Sequence, residues 1–266
     1  MKHISSAQNP KIKNLKALQE KPKKRKENNQ FVIEGVKEIQ YAIHAGYQIE
    51  KLYFSEEYSA QKTKLLEQKL MNLNVELYQV AKPLFKSLCY RDNTTEALGI
   101  AKKKEHSLNT LQLNENPLIL IAESPEKPGN IGALARTVDA GKFDALIITD
   151  PKTDLYNPNV IRSSVGCIFS ITIALTTNEE VFSFLKSKKI KLYSAALSQK
   201  AKPYTQEDYT SAAAIAVGTE NTGLSESWCN QSDHHIIIPM KGVNDSLNVS
   251  VAAGIILFEA IRQRNL

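Results

Sequence analysis

The sequence predicts an α/β protein of two domains, and three observations support that class. Its 266 residues suit two domains of ordinary size, or one large α/β domain. A polar stretch rich in Lys, Asn and Glu ends at Pro117. After it, short apolar segments alternate with segments of helical periodicity, which is typical of a parallel sheet covered on both faces. We predict a small N-terminal α/β domain over 1–104, a linker over 105–116 and a C-terminal domain over 117–266.

The N-terminal elements follow from local patterns. Apolar residues at helical spacing predict helices at 10–19, 36–44, 58–73 and 83–89. Short apolar or alternating runs predict strands at 31–33, 51–54, 75–78 and 98–101. Gly46 follows the second helix and is predicted to end it. A polar, basic stretch follows the first helix and extends to Gln30.

The C-terminal elements follow from the same patterns. Strands are predicted at 118–122, 145–149, 168–175, 191–197, 213–218 and 235–240. Helices are predicted at 131–140, 158–165, 179–188 and 247–263. Asp245 or Ser246 is predicted to cap the last helix by accepting hydrogen bonds from its first backbone N–H groups.

Composition excludes several classes of protein. The chain is 42% hydrophobic and 23% charged, which excludes a wholly disordered, collagenous or coiled-coil chain. No apolar run approaches the roughly 20 residues that a membrane-spanning helix needs, and the first residues lack the apolar core of a signal peptide. Cys89, Cys167 and Cys229 lie far apart without metal-ligand or redox spacing. We therefore expect a cytoplasmic protein without a metal site.

The net charge of +6 is concentrated in the first part of the chain. Residues 1–110 contain 20 Lys and Arg against 12 Asp and Glu, whereas residues 111–266 contain 14 against 16. Such an asymmetry indicates that one domain grips a polyanion. The alternative is a solvated, mobile segment that keeps the protein soluble, and composition alone leaves both open. The candidate RNA-contacting residues are Lys23, Lys24, Arg25 and Lys26.

Three segments follow predicted strands of the second domain, where ligands bind in parallel sheets. Pro128–Arg136 opens a helix, Val217–Ser225 follows the strand at 213–218, and Ile238–Ser250 leads into the last helix. Each alone is explained by a tight turn or a helix cap. None has the spacing of the dinucleotide fingerprint or of a Walker-type phosphate loop.

Taken together and in this order, the segments resemble the three signature motifs of the SpoU-type RNA ribose methyltransferases of the SPOUT superfamily. The likeness spans residues 117–266, and its polar positions show no departure from the family pattern. Residues 1–104 resemble the family's frequent substrate-binding domain, with Phe31–Gly35 as a weaker hallmark. By this resemblance the candidate catalytic residues are Asn130, Arg136, Glu220, Ser246 and Asn248.

The resemblance implies a fold and a cofactor. Family members thread the C-terminal part of the parallel sheet into a deep trefoil knot and bind S-adenosylmethionine in its loops. A glycine is expected at one contacting position because backbone then approaches the ligand without a Cβ. The candidate cofactor-binding residues are Gly218, Ile238 and Leu247, with Leu197 and Met240 nearby.

The implied reaction is methyl transfer to a ribose 2′-hydroxyl in structured RNA. The family assigns Arg136 to activating that hydroxyl, but a guanidinium is a poor base. Gripping the adjoining phosphate is the alternative role. Ser246 and Asn248 are expected to hydrogen-bond ribose and phosphate, and Glu220 to orient Arg136 or Asn248.

The resemblance also implies partners. Family members are usually homodimers, so Arg136 is expected to serve the cofactor of the other subunit. The apolar closing helix is wide enough for a dimer contact, although it could also pack only on the sheet. Ribosomal RNA is the expected substrate. The alternatives are a transfer RNA 2′-O-methyltransferase and a non-catalytic RNA-binding or ribosome-assembly protein, whereas a Rossmann oxidoreductase lacks its fingerprint.

Overall fold

The computed structural model describes residues 1–57, 75–90, 95–220, 222–243 and 245–265. The predicted helix at 58–73 lies outside the described residues. The chain divides into two compact units: the first comprises 1–105 and 154–170, the second 106–153 and 171–266. Residues 154–170, which the predicted boundaries assign to the C-terminal domain, therefore belong to the first unit.

The described residues contain helices and strands numbered here in chain order. The helices are α1 (Pro10–Glu20), α2 (Pro22–Asn28), α3 (Val36–His44), α4 (Lys82–Lys86), α5 (Pro128–Gly141), α6 (Pro158–Ser163), α7 (Asn178–Lys188), α8 (Glu226–Gln231) and α9 (Val249–Arg264). The strands are β1 (Lys2–Ile4), β2 (Gln30–Glu34), β3 (Ile49–Ser55), β4 (Glu76–Val80), β5 (Ala97–Lys102), β6 (Leu118–Glu123), β7 (Ala145–Thr149), β8 (Ile173–Thr176), β9 (Lys191–Ala195), β10 (Lys202–Pro203), β11 (Ala213–Val217) and β12 (His234–Ile237). None of these helices is long and apolar enough to cross a membrane.

The first unit is built on a five-stranded mixed sheet in the order β1-β4-β3-β5-β2. β1, β4 and β3 run parallel, and β5 is antiparallel to both of its neighbours. On one side of the sheet an apolar core includes Ile12, Leu15 and Leu18, which α1 presents at helical spacing. β1 and α2 were not predicted.

Residues 154–170 complete an aromatic cluster inside the first unit. The ring of Tyr156 lies 4.2 Å from that of Phe31, and Phe169 lies 5.1 Å from Tyr47, centroid to centroid. The hydroxyl groups of Tyr47 and Tyr156 are 3.2 Å apart, and burial raises the pKa of both phenols. This cluster joins two distant stretches of sequence into one core.

The second unit is built on a seven-stranded sheet in the order β10-β12-β9-β11-β6-β7-β8. All of its strand pairs are parallel, which confirms the predicted parallel sheet. Every residue of β6, β7 and β11 is buried, as expected where both faces are covered. β6 and β11 are neighbours, so the segments that follow them leave the same edge of the sheet side by side.

The predicted strand at 168–175 is wrong in its first half. Residues Cys167–Phe169 form a turn of 3₁₀-helix after Gly166, and only Ile173–Thr176 joins the sheet. The apolar run is divided between two cores: Phe169 packs in the first unit, whereas Ile173 and Ala174 are buried in the second. One continuous apolar segment of the sequence therefore contributes side chains to the cores of both units.

The start of the last helix also differs from the prediction. α9 begins at Val249, and its N-cap is Asn248, whose side-chain oxygen accepts a hydrogen bond from the backbone N–H of Ser250 at 2.9 Å. Asp245 and Ser246, the predicted caps, lie in the preceding loop. This places Asn248 at the end of the loop that follows β12.

Candidate active site

Three loops of the second unit meet through two amides and a carboxylate. The side-chain amide of Asn130 donates a hydrogen bond to Glu220 Oε1. Asn248 Nδ2 lies 3.2 Å from the same oxygen and 3.3 Å from Asn130 Oδ1. We call this set the amide–carboxylate triangle. It joins the first turn of α5, the loop after β11 and the N-cap of α9, which belong to the three segments singled out in the sequence.

The hydrogen bonds of the triangle use the whole polar capacity of Asn248. Its amide nitrogen donates to Asn130 and Glu220, and its oxygen accepts from the backbone N–H and hydroxyl of Ser250. An amide side chain has two donors and two acceptor sites, so none remains for a ligand. Asn248 thus joins the segments to one another in the structure, and its expected hydrogen bonds to ribose or phosphate stay a prediction.

Glu220 is the anionic centre of this arrangement. Besides the two amides, it pairs with the ammonium group of Lys127, the residue that precedes α5. The contact between Glu220 and Asn248 was expected from the sequence. The expected alternative contact with Arg136 is not formed. Lys127 was missed, because a lysine at a helix start carries no sequence signal that separates it from other surface lysines.

Gly218 is required by the loop itself. A Cβ at this position would collide with the backbone of Gly223 and Leu224. Thr219 and Gly223 exchange backbone hydrogen bonds of 3.0 and 3.1 Å, and Gly223 has a φ of +68°. The expected reason for the glycine was close approach of a ligand. In the structure the close approach is between the backbone at Gly218 and the backbone at Gly223 and Leu224, within one turn.

A large cavity of about 390 Å³ opens beside this turn. All the predicted cofactor positions line it: Leu197, Gly218, Ile238, Met240 and Leu247. Ser246, Val217 and Ile256 add to its wall. Its volume lies within the range of about 300–1,000 Å³ typical of small-molecule sites. Most of the residues that line the cavity are apolar.

A small cavity of about 190 Å³ shares Gly218, Thr219, Glu220 and Thr222 with the large one. Glu220 contributes to both cavities, and Asn130 to the small one. Two lysines, Lys127 and Lys152, lie on its rim. The ammonium group of Lys152 lies 2.8 Å from Glu126 Oε1, and this contact lowers the pKa of the Glu126 carboxyl.

Arg136 stands apart from these contacts. It is exposed on α5, a turn and a half beyond Asn130, and lines neither cavity. Among the described residues, no carboxylate or carbonyl group accepts a hydrogen bond from its guanidinium. A cation with no internal partner is free to bind a group supplied from outside.

A buried carboxylate below the 218–223 loop was also missed. Glu123, at the end of β6, accepts hydrogen bonds from the backbone N–H of Ser225 at 2.8 Å and from the amide of Asn178 at 3.2 Å. Asn178 in turn accepts one from the indole N–H of Trp228 at 2.9 Å. An acid at the end of an otherwise apolar strand was the signal that could have identified it.

The basic run of the first unit requires a correction at Arg25. Its side chain is only 1% exposed, and its Nε lies 2.6 Å from Asp154 Oδ2. Its Nη1 donates to the carbonyl groups of Leu18 and Gln19 at 2.8 and 3.1 Å. Arg25 is therefore closed to a polyanion, and it packs α2 against the segment that begins at Asp154. Lys23, by contrast, is 87% exposed, and Lys24 and Lys26 are exposed as well.

The described residues contain no group of three or more His, Cys, Asp or Glu side chains placed to hold a metal ion.

Comparison with known proteins gives matches along nearly the whole chain. Residues 117–258 match the SpoU rRNA Methylase family, and residues 9–99 match the MRM3-like substrate binding domain. The 23S rRNA (guanosine(2553)-2′-O)-methyltransferase RlmP of Bacillus subtilis is 27% identical over 258 residues, which cover 97% of this chain and 98% of that protein. The two proteins therefore share both parts of the sequence.

Two further proteins extend this likeness. The 23S rRNA (uridine(2479)-2′-O)-methyltransferase of Streptomyces viridochromogenes is 27% identical over 270 residues, covering 97% of this chain and 92% of that protein. The crystal structure of an AdoMet-bound rRNA methyltransferase from Sinorhizobium meliloti superposes with a TM-score of 0.90 at 26% identity, covering 98% of this chain and 97% of that one. The likeness thus holds in three dimensions as well as in sequence.

Proposed function

Because the chain belongs to the SpoU rRNA Methylase family, we propose that it transfers a methyl group from S-adenosylmethionine to a ribose 2′-hydroxyl of ribosomal RNA. The observation that carries this proposal is the large cavity, whose wall ends at the amide–carboxylate triangle. Two relatives that match along nearly the whole chain are named for 23S rRNA, yet for different nucleotides. Their names agree on the class of substrate, 23S rRNA, and differ in the methylated nucleotide.

The residues of the large cavity fit S-adenosylmethionine. Ile238, Met240 and Leu247 offer apolar surface to the flat adenine ring, and Gly218 and its neighbours offer backbone polar groups. When bound, the cofactor supplies an activated methyl group. The cavity walls orient it and exclude water.

The polar residues divide into those that shape the site and those that meet the RNA. The triangle of Asn130, Glu220 and Asn248 fixes the three loops in one arrangement before substrate arrives. Ser246 lines the cavity and offers its hydroxyl group to the ribose. Arg136 holds a phosphate beside the target ribose by paired hydrogen bonds from its guanidinium.

The active assembly in this proposal is a homodimer. α5, which carries Arg136, packs against α9, and α9 exposes Val251 and Phe258, each 49% accessible. Covering these side chains with a second copy would bury apolar surface and bring Arg136 to the cofactor of the other subunit. Sedimentation equilibrium is expected to give twice the chain mass, and Phe258→Glu to give the monomer.

Two finer features of the family enter the proposal. The C-terminal part of the sheet forms a trefoil knot, consistent with β12 pairing with β9 and not with its predecessor β11. Pulling the chain from both ends is expected to extend it by less than its full contour length, because a knot tightens.

The protein acts in the cytoplasm as part of ribosomal RNA processing, and its three cysteines are free thiols.

The direct test of the activity uses RNA from cells that lack the gene. Purified protein with radiolabelled S-adenosylmethionine is expected to label the large ribosomal RNA of these cells and not that of cells with the gene. Mapping of ribose methylation in both RNAs then gives the nucleotide. Absence of label in any RNA would refute the enzymatic function, and label only in transfer RNA would refute the substrate.

The cavity assignment has its own test. Leu247→Trp fills the large cavity, so we expect calorimetric affinity for S-adenosylmethionine to fall by about 100-fold or more, in line with the loss of about 3 kcal/mol of contacts. Val243→Trp is the matched control, because Val243 is fully exposed nearby and does not line the cavity. Equal affinities in the two variants would refute the assignment. Gly218 is unsuitable here, because any side chain at that position disrupts the turn.

A further inference from the structure

The charged side chains of the large cavity are both acidic. Glu220 and Asp245 line it, and the other lining residues are apolar or have neutral polar side chains. Within the described parts of the chain, no lysine, arginine or histidine contributes to its wall. A cavity whose charged groups are carboxylates attracts cations and disfavours anions. The charge of the wall therefore selects among ligands of similar shape.

The two carboxylates differ in their partners. Glu220 accepts hydrogen bonds from the amides of Asn130 and Asn248 and pairs with the ammonium group of Lys127. Asp245 is exposed, and no group of the described residues forms a hydrogen bond or an ion pair with it. The charge of Glu220 is thus compensated inside the protein, whereas the charge of Asp245 is left for a ligand.

Methyl transfer changes the charge of the molecule that the cavity would hold. S-adenosylmethionine has a carboxylate, an ammonium and a sulfonium group, so its net charge is positive. When the methyl carbon bonds to the ribose oxygen, the carbon–sulfur bond breaks, its electron pair stays on sulfur, and the hydroxyl proton passes to water. The product, S-adenosylhomocysteine, has a neutral thioether instead and no net charge.

We propose that Asp245 makes the large cavity selective for the charged methyl donor over its uncharged product. This inference rests on the proposed function, because it concerns the same cofactor in the same cavity. The carboxylate attracts the sulfonium before transfer and has no such attraction for the thioether after it. Apolar neighbours in the wall, such as Ile238 and Leu247, screen this attraction less than water does. Asp245 thereby favours exchange of the product for a new donor molecule.

The test is calorimetric titration of the full chain with S-adenosylmethionine, sinefungin and S-adenosylhomocysteine. Sinefungin has an ammonium-bearing carbon in place of the methylated sulfur, so it is cationic without a sulfonium group. Asp245→Asn should weaken binding of the two cationic ligands by about three- to tenfold, a moderate effect because water screens an exposed charge. Its affinity for S-adenosylhomocysteine should stay within about twofold. Asp245→Glu keeps the charge and should keep the preference.

A matched control removes the same charge from another place. Glu226 is an exposed acid in the first turn of α8 and does not line the large cavity, so Glu226→Gln should leave all three affinities unchanged. Ionic strength gives a second readout. Raising it from about 0.01 to 1 M shortens the Debye length from about 30 to 3 Å. The preference of the unsubstituted chain for the cations should then decrease more than that of Asp245→Asn.

The outcomes separate this inference from the proposed function. Equal losses of affinity for the three ligands in Asp245→Asn, or no loss for the two cations, would overturn the inference and leave methyl transfer intact. A selective loss for the cations in a chain that labels no RNA would support the inference and refute the proposed function. An unsubstituted chain that binds none of the three ligands would overturn both.

Discussion

Two arginines predicted to contact RNA have opposite surroundings. Arg25, in the first unit, is buried, pairs with Asp154 and donates to two carbonyl groups. Arg136, in the second unit, is exposed on α5 and has no partner among the described residues. Both belong to sequence patterns that suggest phosphate binding, yet only one of them presents its charge to solvent.

The comparison shows what decides the role of a cation. A guanidinium whose donors are satisfied inside the protein stabilises the fold, because removing it leaves its acceptors buried without partners. A guanidinium whose donors are free contributes little to the fold and remains available for a ligand. The same substitution should therefore damage stability in one unit and activity in the other.

The largest effect is expected at Arg136. Arg136→Ala should lower kcat/KM for methyl transfer by about 100-fold or more, because a bidentate contact to a phosphate is lost at the reacting nucleotide. Its free energy of unfolding should stay within about 0.5 kcal/mol of the unsubstituted protein. Steady-state kinetics with radiolabelled cofactor and urea denaturation measure the two quantities.

Two controls sharpen this prediction. Arg136→Lys keeps the charge but not the planar fork, so it should recover only part of the rate. Affinity for S-adenosylmethionine should not change in either variant, because Arg136 does not line the large cavity. Full turnover in Arg136→Ala would show that the residue has no part in the reaction.

The next effect is expected at Arg25. Arg25→Met should lower the free energy of unfolding by about 3 kcal/mol, since Asp154 and the carbonyl groups of Leu18 and Gln19 lose their shared donor. Lys103, 3.4 Å from Asp154, limits the loss. Urea denaturation monitored by circular dichroism gives the value.

The neighbouring Lys24→Met is the matched control for Arg25. Lys24 is exposed, and its contact with Glu27 spans only one turn of α2, so the change should stay below about 0.5 kcal/mol. Equal stability of the two variants would contradict the structural role of Arg25.

The smallest effect is expected from the remaining lysines of the basic run. The triple variant Lys23→Ala, Lys24→Ala, Lys26→Ala should reduce the salt slope of RNA binding by about 2, less than one for each phosphate contact removed. Stability should hardly change, because these side chains are exposed. An identical slope would mean that the run is a solvated surface of α2, as the composition also allowed.

The sequence predicted the parallel sheet and the meeting of the three loops because both depend on local pattern and order. Continuous apolar strands such as β7 and β11 indicate burial on two faces. Segments that follow such strands must leave at one edge. Asn130, Glu220 and Asn248 could therefore be expected near one another before any distance was known.

What the sequence could not predict depends on which partner a polar group finds. Asn248, not Asp245 or Ser246, caps α9, because the choice among three capping residues within four positions depends on the contact of Asn248 with Glu220. Arg25 looks identical in sequence to its basic neighbours, and its burial requires Asp154, more than 120 positions later. An ion pair between residues so far apart in the chain does not alter the local sequence pattern around either residue.

The presence of residues 154–170 in the first unit has a consequence for engineering. A chimera that exchanges the N-terminal domain at residue 105 would separate Phe31 and Tyr47 from Tyr156 and Phe169, and Arg25 from Asp154. The chimera would contain an incomplete aromatic cluster, and the buried charge of Arg25 would lack its partner. Exchanging the first unit between relatives therefore requires a graft of two discontinuous pieces of chain, with the second inserted after residue 153.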